Sequence, residues 1–105
     1  MQRRIYALVL DLHDNVATLL SDASAYETIL LKGLEGTVVL SENIASGHKV
    51  ALKPICSGGD ILKYGQRIGT ATKDINLGEW INLHNMGSAV DITFKKRIDS
   101  CTVKY

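Results

Sequence analysis

Short apolar segments separated by polar turns run along most of the chain. They predict β-strands near residues 5–10, 16–20, 26–32, 37–40, 49–53, 61–63, 66–72 and 80–83. No stretch shows the 3.6-residue apolar period and flanking caps of a helix, although a single helical turn at 22–25 is an alternative to extended chain. We therefore predict a compact all-β fold with short hairpins and little helix.

One sequence phrase occurs three times: an isoleucine, two small or polar residues, and a glycine. The copies span residues 44–47, 55–58 and 75–78. A glycine at the end of such a phrase supplies the positive φ that a tight turn needs, while the β-branched residues around it favour strands. The repeat predicts three strand corners, and the first of them is followed by His48 and Lys49.

Composition indicates a single folded domain and gives no reason to expect nucleic acid or a membrane as a partner. The 105 residues are 46% hydrophobic and 22% charged, which is typical of one folded domain. A net charge of +1 gives no reason to expect nucleic acid or a membrane surface as a partner. Apolar runs are too short to span a membrane, and Asp11, His13 and Asp14 interrupt the first one before a signal peptide could form. We expect a cytoplasmic protein.

The two cysteines predict no cofactor site. Cys56 and Cys101 lie far apart and outside any Cys-x-x-Cys spacing, so neither a zinc knuckle nor a redox dithiol is indicated. In a reducing cytosol we expect two free, partly buried thiols, and a disulfide only if the fold brings them together.

The first predicted corner carries the strongest candidates for chemistry. His48 precedes Lys49, and a neighbouring ammonium favours the neutral imidazole, which suits a metal ligand or a general base. Lys63 adds positive charge of the kind that attracts a carboxylate. An exposed histidine-lysine pair without a role is the alternative.

Two further polar pairs stand where predicted strands end. His84 and Asn85 follow the strand at 80–83, and Asp14 and Asn15 follow the first strand. Side chains at strand ends are available to a ligand. Stabilisation of a turn by Asp14 and Asn15, and a surface role for the other pair, are the alternatives.

The remaining side chains give no metal signature. Histidines at 13, 48 and 84 do not form a known metal-binding spacing, so the metal ligands stay unknown. Trp80 fits a core anchor better than a platform for sugar stacking.

Several short segments occur in a characteristic order. They are DNVA at 14–17, GHKVAL at 47–52, KYG at 63–65, IG at 68–69, DI at 74–75, GE at 78–79 and HN at 84–85. In this order they resemble the amino-terminal SAF-type domain of the altronate and galactarate dehydratase family, over about residues 5–85. The resemblance implies a β-clip (SAF-like) domain at 1–85, and we expect a carboxy-terminal hairpin or arm at 86–105.

The resemblance also implies a function. It predicts the small subunit or amino-terminal domain of a sugar-acid dehydratase, a hydro-lyase acting on altronate, galactarate or a related hydroxy acid. Such chemistry needs a base, a cation and an acid, and this chain lacks a full set. The chain would therefore be inactive without a large catalytic chain, whose active site it completes. The cofactor is unknown, and a divalent metal such as iron or manganese would be held mainly by the large chain.

Site residues follow from the resemblance position by position. His48 and Lys49 are predicted to be catalytic, as acid/base or carboxylate-binding groups. The predicted substrate-binding set is Asp14, Asn15, Lys63, His84 and Asn85. The chain departs from the family at Asp11 and Asn82, where family members often carry histidines, so its substrate or its metal could differ.

Other functions remain open at this stage. The family includes two-subunit members, and sulfolactate sulfo-lyase is built similarly, so a sulfo-lyase small subunit acting on a sulfonated hydroxy acid is one alternative. A non-catalytic β module that binds an acid or a protein is another. A third is a homo-oligomer that assembles through an arm at 90–105.

Overall fold

A computed structural model describes residues 4–88, which form nine β-strands and no helix. The strands are β1 (Tyr6–Leu8), β2 (Val16–Leu19), β3 (Thr28–Lys32), β4 (Thr37–Val39), β5 (Lys49–Ala51), β6 (Asp60–Lys63), β7 (Gln66–Ala71), β8 (Trp80–Ile81) and β9 (Met86–Ser88). The predicted all-β fold is confirmed, and each predicted strand is present. Within residues 4–88 no helix exists that could cross a membrane.

Strand β9 was not predicted, because its sequence loses the alternating pattern. It pairs antiparallel with β7, with Gly69 opposite Ser88 and Ala71 opposite Met86. The rest of the predicted arm, from residue 89 onward, lies outside the described residues.

The strands form two sheets, one of which curls until its edges meet. The larger sheet has the order β4-β3-β1-β2-β5-β8, and the smaller has the order β6-β7-β9. After β4, the N–H of Ser41 donates to the carbonyl of Gly78, just before β8, over 3.0 Å. The Oε2 of Glu42 accepts from the N–H of Trp80, also over 3.0 Å. These two bonds join the edges and leave little unpaired strand there.

Two apolar cores lie on opposite faces of the larger sheet. The first fills the curled sheet and is built from Ile5, Ala7, Val9, Ala17, Leu19, Ala23, Ile29, Val38, Leu40, Ile44 and Val50. The second lies against the smaller sheet and contains Val16, Ala51, Ile55, Ile61, Ala71, Ile75 and Ile81. Successive residues of a strand point to opposite faces, so β2 and β5 each contribute to both cores. The near-continuous apolar sequence of these strands follows from this double burial.

Four strand corners organise the chain, one more than the sequence repeat predicts. They span 23–26, 44–47, 55–58 and 75–78, and we number them first to fourth. Each ends in a residue with positive φ: Tyr26 (71°), Gly47 (84°), Gly58 (86°) and Gly78 (87°). The first corner escaped the sequence pattern because a tyrosine stands where the others have glycine.

The corners pair reciprocally through their backbones. Ala23 and Ile44 exchange two N–H to carbonyl bonds of 2.9 Å each, which joins the first corner to the second. Ile55 and Ile75 exchange two bonds of 2.8 Å, which joins the third to the fourth. Because each bridge links distant parts of the chain, the corners fix how the strands cross.

Acidic and amide side chains just before the corners reinforce this pairing. Oδ1 of Asp22 accepts from the N–H of Ser46, and Oδ1 of Asn43 accepts from the N–H of Ala25, each over 2.8 Å. In the second pair of corners, Asp74 accepts from the Ser57 N–H over 2.8 Å. A side-chain acceptor for a turn N–H is worth about 1 kcal/mol.

Cys56 in the third corner differs from its prediction. It is buried and disulfide-bonded, so the expectation of a free thiol is wrong at this position. Cys101 lies outside the described residues.

The closure of the larger sheet gives a stability prediction for Gly78. A Cβ at this position would stand 2.3 Å from the carbonyl oxygen of Val39, whereas a Cβ at Gly47 would meet nothing within 4 Å. Both glycines have positive φ, so Gly47→Ala carries only the left-handed strain of about 1–2 kcal/mol. We expect Gly78→Ala to lower the free energy of unfolding by about 3 kcal/mol or more, measured by urea denaturation. Equal losses for the two variants would contradict this account of the closure.

Candidate functional site

An open cleft of about 570 Å³ lies over the paired first and second corners. Its lining consists of Asp22, Ala23, Ser24, Asn43, Ile44, Ala45, His48 and Trp80. The two corners supply the floor, while His48 stands directly before strand β5 and Trp80 begins strand β8. The cleft therefore sits where the reciprocal corner pairing meets the closing edge of the sheet.

The contact with Trp80 selects one tautomer of the neutral His48 ring. The indole Nε1–H of Trp80 donates to Nδ1 of His48 over 3.1 Å, and the rings meet edge to face with centroids 5.5 Å apart. Because an indole N–H can only donate, Nδ1 accepts and the neutral imidazole carries its proton on Nε2. In this form His48 offers a hydrogen-bond donor to a ligand, and its basic nitrogen is already engaged.

Trp80 is fixed through its backbone and also contacts His84. Glu42 accepts from its N–H over 3.0 Å, and Nδ2 of Asn85 donates to its carbonyl over 2.9 Å. The ring of His84, which is exposed, lies 5.0 Å from the ring of Trp80, centroid to centroid. Trp80 thus stands between two imidazoles, and it both packs on the first core and lines the cleft.

Lys49 lies on the opposite face of strand β5 from His48. Val50 belongs to the first core and Ala51 to the second, so the residues of this strand alternate between the two faces. His48 contacts Trp80 on the first-core side, while Lys49 has the charge of Lys63 nearby on the second-core side. The two residues predicted to be catalytic therefore lie on opposite faces of the sheet, and a catalytic role for either stays a prediction.

The Lys49 ammonium is partly removed from water. Burial, and then repulsion from Lys63, lowers the pKa of Lys49 below its ordinary value. Its neighbour across the sheet is Thr18, whose buried hydroxyl has no hydrogen-bond partner within residues 4–88. Lys63 is half-buried, and its Nζ lies 4.9 Å from the ring centroid of Tyr64.

The side chains of Asp14 and Asn15 bind backbone rather than open space. Both are buried, with 3% and 8% of their surfaces exposed. Oδ2 and Oδ1 of Asp14 accept from the N–H groups of Tyr64 and Gly65, each over 2.8 Å. Asn15 accepts from the Leu62 N–H and donates to the carbonyl of Asp60, also over 2.8 Å each. Together they attach the β6–β7 hairpin to the larger sheet.

Asn85 has a comparable structural position. It is 3% exposed, and its Oδ1 accepts from the N–H of Asn82 over 3.0 Å while its Nδ2 holds the Trp80 carbonyl. It closes the loop that carries His84. A substrate contact by Asp14, Asn15 or Asn85 stays a prediction, since the polar atoms named above already have backbone partners.

Asp11, which stands where family members often carry a histidine, bonds to the nearby His13. Oδ1 of Asp11 accepts from the backbone N–H of His13 over 2.8 Å and lies 3.0 Å from its Nδ1. The backbone bond, followed by the ring contact, lowers the pKa of Asp11. Neither residue lines the cleft.

The described residues do not by themselves form a metal centre. Among residues 4–88 no three His, Cys, Asp or Glu side chains converge on a point. His48 already uses Nδ1 to accept from Trp80. The geometry of these residues therefore does not fit the divalent metal that the sequence left open, and we derive no step through one.

Sequence reasoning missed most of the residues that line the cleft. The sequence predicts Trp80 as a core anchor, which its packing on the first core confirms, but does not show that it also lines the cleft, and the predicted site set lacks Asp22 and Asn43. A signal was present, because an Asp or Asn stands directly before the first, second and fourth corners. Extending the repeated phrase by one residue at its start would have shown this.

Comparison with known proteins agrees with this architecture. The family model described as the altronate/galactarate dehydratase SAF domain matches residues 5–89. Altronate dehydratase of Bacillus subtilis is 39% identical over 72 residues, which are 69% of this chain and 14% of that protein. Galactarate dehydratase (L-threo-forming) of Escherichia coli is 43% identical over 70 residues, 66% of this chain and 13% of that protein.

A shorter relative matches a smaller part of the chain. The alpha subunit of (2R)-sulfolactate sulfo-lyase from Paracoccus pantotrophus is 40% identical over 43 residues, which are 41% of this chain and 64% of that subunit. The chain thus spans only about one seventh of the dehydratases that it matches but most of this subunit.

The contact between Trp80 and His48 predicts a tautomer. We expect the neutral His48 imidazole to carry its proton on Nε2, because Nδ1 accepts from the indole. Long-range ¹H–¹⁵N correlation spectra would show it, with exposed His13 as the internal reference. In Trp80→Phe the preference should weaken, because the donor to Nδ1 is gone. A His48 ring protonated on Nδ1 in the unaltered chain would contradict the geometry.

The partial burial of Lys49 predicts a stabilising substitution. Because its pKa is lowered in the folded state, the charged ammonium opposes folding at neutral pH, and this cost disappears as pH rises through the folded-state pKa. We expect Lys49→Met to raise the free energy of unfolding by a fraction of a kcal/mol, since solvent screens much of the effect. The gain should shrink as the pH approaches the ordinary lysine pKa. Exposed Lys73→Met is the control, and a destabilised Lys49→Met would refute this interpretation.

Proposed function

This chain belongs to the altronate and galactarate dehydratase SAF-domain family, and we propose that it completes the active site of a larger sugar-acid dehydratase chain. The observation that carries the proposal is the family match over residues 5–89 together with a donor-bearing cleft beside His48. The larger chain would be a separate polypeptide or the remainder of a longer protein.

The division of labour follows from the chemistry of the elimination. Loss of water breaks the C–H bond next to the carboxylate and the C–O bond at the next carbon. The proton goes to a base, the electron pair forms the carbon–carbon double bond, and the protonated hydroxyl leaves as water. Residues 4–88 hold no converging metal-ligand set, so in this proposal the base and any cation belong to the large chain.

In the proposal His48 binds and orients the substrate. Its Nε2–H donates to a substrate oxygen, Trp80 forms the wall beside it, and the His84 ring, which contacts Trp80, binds the substrate from outside the cleft lining. Lys49 and Lys63 act on the other face, where their charges attract anionic groups. The remaining predicted contacts, Asp14, Asn15 and Asn85, act as positioning residues.

A sulfo-lyase component is the second candidate. The match covers 64% of the sulfolactate sulfo-lyase alpha subunit, a far larger share than the 13–14% of the dehydratases. Sulfolactate is also a hydroxy acid, so the same donors would bind its carboxylate while sulfite replaces water as the leaving group. A non-catalytic acid-binding module remains the outcome if no lyase activity appears.

Reconstitution with the large chain tests the proposal. We expect the two parts together, and neither alone, to eliminate water from altronate or galactarate, followed by the absorbance of a semicarbazone of the keto product. Sulfolactate assayed for sulfite release separates the second candidate. Activity of the large chain that is unaffected by this domain would refute the proposal.

Substitution of His48 tests its assigned role. We expect His48→Ala to lower kcat/KM about tenfold to hundredfold, the effect of losing one hydrogen bond to a charged group. His48→Gln, which keeps an N–H donor, should retain more activity. His13→Ala is the matched control, because this histidine is exposed and outside the cleft. Unchanged activity of His48→Ala would remove the residue from the site.

A further inference from the structure

The residue that follows each corner turn falls into two chemical types. In the first corner, Oε1 of Glu27 accepts from the backbone N–H of Ser24 over 2.7 Å. In the fourth corner, Oε1 of Glu79 accepts from the N–H of Asn76 over 2.6 Å. Both carboxylates fold back onto the turn that precedes them and accept the same N–H group. At this position the corner is therefore a small carboxylate-binding site that the chain fills itself.

The second corner has the same turn without the carboxylate. Its turn bond is present, since the N–H of His48 donates to the carbonyl of Ala45 over 3.1 Å, as Glu27 does to Ser24 over 3.2 Å. The residue after the turn is His48, whose ring binds Trp80 instead of folding back. Within residues 4–88 the N–H of Ala45 consequently has no hydrogen-bond acceptor.

The third corner also lacks a glutamate after its turn, but it lies away from the cleft. There the residue after the turn is Gly59, which has no side chain, but the corner contains the buried Cys56 and does not line the cleft. Of the described corners that lack a glutamate at this position, the second alone opens into the cleft. Its Ala45 and His48 both belong to the lining.

Other hydrogen-bond donors line the same cleft as the Ala45 N–H. His48 presents Nε2–H, because its Nδ1 accepts from Trp80. Asn43 uses Oδ1 to accept from the Ala25 N–H, and its Nδ2 has no acceptor in the described part of the chain. Donors from three residues thus line the same open cleft, next to the face of an indole.

We propose that the cleft over the second corner binds the carboxylate of a polyhydroxy acid in the place that a glutamate fills in the first and fourth corners. The ligand carboxylate accepts from the Ala45 N–H and from His48 Nε2–H. This assignment rests on the proposed function and deepens it by naming the atoms that hold the acid group.

Asp22 selects for hydroxyl groups on the ligand. Its carboxylate lines the cleft and already accepts from the Ser46 N–H through Oδ1. A carboxylate there accepts hydrogen bonds from hydroxyls. A hydroxy acid therefore fits the cleft better than an acid without hydroxyls, and better than an alditol without a carboxylate.

Titration of the full chain tests the assignment without any partner. In ¹H–¹⁵N spectra we expect galactarate to shift the Ala45 amide and the His48 ring resonances to saturation. Galactitol, which has the hydroxyls and no carboxylate, and succinate, which has carboxylates and no hydroxyls, should each bind at least about tenfold more weakly. No saturable shift with galactarate, or equal binding of galactitol, would overturn the proposal.

A self-capping substitution provides the sharper test. His48→Glu restores the residue type of the first and fourth corners, so its own carboxylate should cover the Ala45 N–H. We expect galactarate binding to fall at least about tenfold, with an Ala45 amide shift that already resembles the bound form. A thermal midpoint close to that of the unaltered chain would establish that this variant is folded.

Control variants separate binding from folding. Glu79→Gln changes the same position of the fourth corner, outside the cleft, and should leave galactarate binding unchanged. His48→Gln keeps a hydrogen-bond donor and should bind galactarate within about threefold of the unaltered chain. If His48→Glu does not fold, the comparison of His48→Gln with His48→Ala still tests the assignment. If His48→Gln binds no better than His48→Ala, the assignment is wrong.

The galactarate titration and the reconstitution assay test separate claims. Binding of galactarate to the chain without turnover by the reconstituted enzyme would refute the proposed function and keep the carboxylate site. Turnover in the reconstituted enzyme without galactarate binding at Ala45 would refute the carboxylate site and keep the proposed function.

Discussion

Reciprocal pairing of the strand corners is the constraint on which the rest of the structure depends. A corner alone would leave its backbone donors and acceptors unsatisfied, but in pairs the corners exchange two bonds across each bridge, Ala23 with Ile44 and Ile55 with Ile75. Each bridge brings together segments about twenty residues apart along the chain, so it fixes the crossing of the strands and encloses an apolar core on either side of the larger sheet. The closing contact at Gly78 then needs a residue without a side chain.

The paired corners also determine where the cleft lies. A corner must satisfy the N–H groups of its own turn, and in two corners a glutamate does this for one of them. Where histidine replaces glutamate, the side chain is free to bind Trp80 and a turn N–H remains uncapped. In the proposed carboxylate site, a single change in residue type converts a structural position into a binding position. The family's chemistry would use a fold whose stability is maintained by the other corners.

Burial on both faces of strand β5 separates two groups that are adjacent in sequence. His48 and Lys49 point to opposite sides of the sheet, because side chains alternate along a strand and both sides of this one are covered. One side carries imidazole and indole rings, and the other carries two lysines and a buried threonine hydroxyl. A partner chain that surrounds this domain would meet distinct chemistry on each side. The domain matches 13–14% of the length of its dehydratase relatives.

The sequence by itself determined the all-β class, the positions of eight of the nine described strands, three of the four corners and the family, since these depend on local apolar patterns, turn glycines and an ordered set of short motifs. Only the tertiary structure decided where the polar side chains lie and which backbone groups they bond. The side chains of Asp14 and Asn15 bond backbone about fifty residues away, which no local pattern reveals, whereas Asn85 closes its own loop through Asn82 and Trp80. Trp80 looked like a core residue and turned out to position His48, because strands far apart in sequence meet at the closing edge of the sheet. The first corner was hidden for a simpler reason: Tyr26 adopts a backbone conformation that sequence reasoning assigns to glycine.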